Sequence, residues 1–97
     1  MLRITVEPEL EMTTIRLEGR LTGPWVRELE RVWLEESRKT AGDKITLDLS
    51  DLTAIDDAGR YLLTVMQRDG AHFVATTPLM RSLIEEIERG AGDHDPQ

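Results

Sequence analysis

Two adjacent carboxylates, Asp56 and Asp57, stand in the turn Ile55-Asp56-Asp57-Ala58-Gly59, and Arg60 is the nearest cation. They invite three kinds of chemistry. With a third oxygen from Asp48 they could hold Mg²⁺, which binds through one or two carboxylates plus waters, and Asp57 could accept a phosphoryl group. Adjacent residues on a turn point apart, however, and no lysine stands nearby to stabilise a phosphoryl group. General acid–base chemistry needs paired groups in a cleft, and the chain offers no recognisable set. The third kind is electrostatic. Free N–H groups at a helix start favour negative charge. Asp56 reads as a charged contact that orients the turn, or as an Asx-type hydrogen bond to its own backbone. Asp57 reads first as a helix N-cap, worth about 1 kcal/mol, a role compatible with its acting as a permanent negative charge. The residues favour binding over catalysis and call for no catalytic residue, metal or cofactor.

Other chemistry-bearing residues are fewer. Ser50, Thr53 and Thr64 are the hydroxyls nearest the turn in sequence. Thr64 falls within a helical pattern, where it packs or bonds back to the preceding turn. His72 has no partner cluster and reads as an ordinary strand histidine. Asp93-His94-Asp95 has a weak chelating pattern on a segment that cannot preorganise ligands. Trp25 and Trp33 are eight apart, two helical turns, and share a face. That face reads as a core stripe, with Trp25 an interface anchor if it is partly exposed. Gly19 and Gly59 read as backbone-geometry positions.

These residues need elements to position them. Leu2, Ile4 and Val6 alternate with Arg3, Thr5 and Glu7, and Thr13, Ile15 and Leu17 alternate with Thr14, Arg16 and Glu18. With Pro8-Glu9 turning between them, the two strands predict an antiparallel hairpin. Thr22-Gly23-Pro24 starts a helix whose stripe is Trp25, Leu29, Val32, Trp33 and Glu36, with Glu35–Lys39 as an outer ion pair and Gly42 as the stop. A strand over 45–50 runs into a polar loop. A second helix over 57–69 ends at Gly70, and a strand covers 72–76. A third helix opens at Thr77-Pro78, turns Leu79, Leu83, Ile84 and Ile87 inward, and ends at Gly90. Residues 91–97 read as a disordered tail beyond a 1–90 domain. The order β-β-α-β-α-β-α predicts an α/β, two-layer domain. Its sheet is mixed and four-stranded, its last three strands are parallel, and its helices lie on one face. The alternation of the strands leaves the other face open and polar.

Composition bounds the partners. Twelve basic against nineteen acidic residues give a formal charge of −7, which argues against a phosphate-backbone partner and so against nucleic acid. The absence of cysteine excludes disulfides and thiolate chemistry and fits a reducing compartment. No apolar run approaches the roughly 18 residues of a membrane span, and the N-terminus begins an alternating strand rather than a signal core. The expectation is a cytoplasmic protein without membrane insertion.

The order of elements, the segment Glu18-Gly19-Arg20-Leu21-Thr22, the strand end Leu47-Asp48-Leu49-Ser50 and the turn Ile55-Asp56-Asp57-Ala58-Gly59 together resemble the STAS domain over about residues 2–89. That family includes bacterial anti-sigma-factor antagonists and the cytoplasmic tails of sulfate transporters. The resemblance implies a non-enzymatic signalling switch in transcription regulation. In such antagonists a serine or threonine just before the turn glycine is phosphorylated by a kinase-like anti-sigma factor, and the added charge blocks binding. The matching position here is Ala58, which has no hydroxyl. The family also often has serine where this chain has Asp57, and an aliphatic residue where it has Arg60. What the likeness then implies is partner binding through Asp56, Asp57, Ala58, Gly59 and Arg60 and the helix after them, without phosphorylation at Ala58. A second branch consists of accessory subunits that dock on the ATPase of ABC transporters for lipids or solutes, which needs no phosphorylation. Weak self-association through the open sheet face or an edge strand is a further alternative.

Overall fold

A computed structural model describes residues 1–92, with side chains to residue 90. Its elements are β1 (Leu2–Pro8), β2 (Thr13–Leu21), α1 (Pro24–Lys39), β3 (Ile45–Ile55), α2 (Asp57–Arg68), β4 (His72–Val74) and α3 (Pro78–Gly92), with a single 3-10 turn at Gly42–Lys44. The sheet order is β1-β2-β3-β4. β1 and β2 pair antiparallel, and β2–β3 and β3–β4 pair parallel. The fold is therefore the expected α/β arrangement, a mixed four-stranded sheet with three helices over one face.

Alternation sorts the strands onto two faces. Leu2, Ile15, Leu17, Ile45, Leu47 and Leu49 are buried beneath the helices, which add Leu29, Val32, Trp33, Leu62, Leu63, Met66, Met80, Leu83, Ile84 and Ile87. The other face carries a charge ladder: Arg3 with Glu18, and Arg16 between Glu7 and Asp48 at 3.8 Å from each. The Nε of Arg16 is buried there without a hydrogen-bond partner.

β3 continues through the stretch expected to be a loop. Its pairing with β2 slips twice, between Arg16 and Glu18 and between Gly19 and Arg20, each time with one surplus residue on β3. Such bulges reverse which face later side chains occupy. The core side of β3 accordingly runs Ile45, Leu47, Leu49 and then Leu52. The step of three breaks the period of two that marks a strand, and so a polar loop is what the sequence suggests.

Other boundaries differ for local reasons. Helix α1 ends at Lys39, with the Thr40 N–H bonded to the Glu36 carbonyl, and Gly42 opens the 3-10 turn instead of stopping the helix. Lys39 pairs with Glu36, and Glu35 with Arg31, in place of a Glu35–Lys39 bridge. β4 is shorter than expected. In α3 the inward stripe is Met80, Leu83, Ile84 and Ile87, at i, i+3, i+4 and i+7, and Leu79 faces outward, 66% exposed. Gly90 has no positive φ, so it does not terminate α3, which continues to Gly92. Gly70, at φ +102, does sit in the left-handed region just past α2, as a stop signal should. The predicted tail beyond Gly92, with Asp93-His94-Asp95, lies outside the described residues. Among the described residues no helix is long and apolar enough to cross a membrane.

Candidate functional site

The turn is built around Asp56, and Asp56 rather than Asp57 is the N-cap of α2. Asp56 has extended backbone, and its Oδ1 accepts from the Gly59 N–H at 2.8 Å. Its Oδ2 accepts from the Gly23 N–H, also at 2.8 Å. One carboxylate thus closes the first turn of α2 and ties it to the residue that opens α1. The Asp56 N–H in turn donates to the Leu21 carbonyl, and its carbonyl receives the Arg60 N–H. The Gly23 amide first, then that of Gly59, holds the Asp56 carboxyl below the usual carboxylate range, and partial burial opposes them without prevailing. Asp57 becomes the first residue of the helix. Its carboxylate is exposed at the positive end of the helix dipole, and the cap is supplied by its neighbour.

Gly59 is buried because the turn packs onto the end of β2. A β-carbon there would lie 2.7 Å from the Leu21 carbonyl oxygen and 3.0 Å from side-chain carbons of Leu21 and Ile55. No side chain fits without moving backbone. Asp57, Ala58 and Arg60 surround this buried glycine and are all exposed. The five predicted residues therefore divide into two that build the turn, Asp56 and Gly59, and three that face outward from it.

The outward set has members that sequence reasoning missed. Tyr61, next to Arg60, is 68% exposed. The Arg60 guanidinium donates to Glu86 of α3 at 2.5 Å, an ion pair that joins the first turn of α2 to α3. Beside this pair a groove of about 350 Å³ is lined by Ala54, Ile55, Leu79, Met80, Ser82 and Leu83, together with the pair itself. The outward Leu79 is its one legible signal, masked by counting Leu79 in place of Met80 as the first member of the inward stripe.

The other candidates lie elsewhere or are engaged. Asp48 is eight residues before Asp56 along a strand whose two bulges shorten the run to about 20 Å. It faces Arg16 on the open sheet and accepts the Ser50 N–H. It cannot share a metal with the turn. No group of three or more His, Cys, Asp and Glu side chains able to hold a metal ion occurs among the described residues. The Thr53 hydroxyl donates to the Gly19 carbonyl and that of Thr64 to the Arg60 carbonyl. His72 Nε2 lies 3.1 Å from the Asp43 carbonyl. Trp33 is buried, and Trp25 is partly buried against the core.

No protein-family model matches this sequence, and no curated protein matches it. Solved structures do. The anti-sigma factor antagonist SpoIIAA in its unphosphorylated form superposes with a TM-score of 0.68 at 20% identity, covering 86% of this chain and 82% of that one. An uncharacterised DUF3478-family protein with a SpoIIAA-like fold, from Shewanella loihica, gives 0.58 at 10% identity, covering 91% and 76%. In Mglu the match, at 0.53 and 22% identity, covers 76% of this chain but only 19% of that protein. These likenesses show a STAS-like fold.

Proposed function

We propose that the chain is a non-enzymatic protein-binding module of the anti-sigma-factor-antagonist kind, which meets its partner through residues 55–60 and the outer face of α2. One observation carries the reading. Both oxygens of Asp56 are consumed in fixing the turn, while Asp57, Ala58 and Arg60 project from it into solvent. A surface held rigid by its own hydrogen bonds loses little conformational freedom on association. A carboxylate already satisfied by two backbone amides is poorly placed to act as a nucleophile or base.

Ala58 stands at the position where such antagonists carry their phosphate acceptor. Binding here is therefore not switched by phosphate at that residue. Of the other hydroxyls nearest the turn, those of Thr53 and Thr64 donate to backbone carbonyls. Asp57 adds a fixed negative charge beside the vacant acceptor position.

The test is affinity purification from the native host with the wild-type chain and with Ala58→Glu and Asp57→Lys. Loss of one protein with both variants is the expected result, and unchanged recovery discards the site. Mass spectrometry of that protein separates a kinase-like anti-sigma factor from a transporter ATPase. It also reports any phosphorylation of the bait.

A further inference from the structure

We infer that the contact surface continues from the turn onto the seam between α2 and α3, where the groove receives an aliphatic side chain from a basic, amphipathic helical segment of the partner. This rests on the reading above and specifies the partner's chemistry. The groove's volume of about 350 Å³ is at the small end for ligand sites, suited to an anchoring side chain or two rather than a cofactor. Its floor is aliphatic, from Ile55 and Leu83, and Leu79 beside it leaves most of its side chain in water. Tyr61, equally exposed, stands on the adjoining turn of α2. An apolar cleft with exposed apolar side chains beside it is the kind of surface into which an amphipathic helix lays its anchors.

Charge selects the sign of the occupant. Asp57 and Arg60 are neighbours at i, i+3 on α2. Arg60 is neutralised by Glu86 at the groove's edge, and the Asp56 carboxylate is taken up by two backbone amides. Glu86 and Arg60 offset each other at the groove, and the exposed Asp57 on the adjoining turn leaves an acid without a cation, on a chain whose formal charge is −7. Lysine or arginine flanking the anchor meets these acids, and an acidic segment is repelled. The same surplus of like charge opposes a second copy of this chain as the occupant.

The probe is a synthetic amphipathic peptide of about fifteen residues, with leucines at helical spacing and lysines between them, and a twin with glutamate for lysine. Each is titrated into the ¹⁵N-labelled protein. Saturable amide shifts at Ile55, Arg60, Leu79, Ser82 and Leu83 are expected with the lysine peptide. Affinity should fall roughly ten-fold or more for the glutamate twin, for Ser82→Phe, which fills the groove, and for Leu79→Asp. Both variants change exposed residues, and thermal denaturation checks that they fold. Equal response to the two peptides, shifts confined to the open sheet, or the same shifts on concentrating the protein alone overturn the inference. The turn is judged separately by host purification. If Ala58→Glu loses the partner and Ser82→Phe keeps it, the groove is wrong and the turn stands. If neither variant changes recovery, both readings fall.

Discussion

The Oδ2 of Asp56 lies 2.8 Å from the backbone nitrogen of Gly23, thirty-three residues earlier in the chain. Because Oδ1 is bonded to Gly59, this carboxylate holds two helix starts in one arrangement.

Asp56→Ala removes both bonds and leaves the Gly23 and Gly59 amides without their acceptor. The expected result is a fall in Tm of about 5 °C. Faster hydrogen exchange at those two amides should accompany it, with α3 protected as before. Asp57→Ala, by contrast, removes no cap and should leave both readouts nearly unchanged.

Stability should also depend on pH through this residue. The folded-state pKa of Asp56 lies below its unfolded value. Its contribution is therefore complete above the unfolded value and lost as pH falls through the folded one, from about pH 4 downward. Urea unfolding between neutral pH and about pH 2 should show a shallower acid limb for Asp56→Asn than for the wild type. Glu28, held low chiefly by its hydrogen bond to Arg31, titrates in the same direction in both proteins and cancels from the difference.

Gly59→Ala forces a β-carbon against the Leu21 carbonyl. The expected loss is about 2 kcal/mol, the scale of an overpacked core, measured by equilibrium unfolding. Ala58→Ser, one residue earlier and exposed, should change stability by no more than about 0.5 kcal/mol. It therefore offers a folded protein with a hydroxyl restored at the turn, ready to be tested as a substrate of any kinase recovered with the wild type.

The Arg60–Glu86 pair is half exposed on both sides. A double-mutant cycle with Arg60→Ala and Glu86→Ala should return a coupling of roughly 0.5 kcal/mol or less, weakening with salt. A large effect of Arg60→Ala on partner binding, set against that small stability term, would mark the residue as a contact.

The fold was legible because most strands alternate and most helices carry one apolar stripe. Where the pattern changed, the reading failed for physical reasons. The core side of β3 steps by three from Leu49 to Leu52, so no period of two announces the strand's second half. Asp56 and Asp57 have equal intrinsic preference for a cap, and what decides between them is an amide supplied by Gly23, which no local pattern reveals. The turn was found, but its division into internal and outward residues was not. The groove was illegible because its walls, from Ala54 to Glu86, meet only in the folded chain.

The paired slips in β3 set the orientation of everything downstream. Deleting one surplus residue would invert the rest of the strand and send the turn to the opposite side of the sheet. Deleting both would cancel the inversion at little cost in length, because each surplus residue is taken up in a bulge and adds little to the strand's reach. Single-residue insertions and deletions between Asp48 and Ala54 should therefore be tolerated far less well than the polar, loop-like sequence of that stretch suggests. The irregularity sets which side of the sheet the working end of the molecule is delivered to.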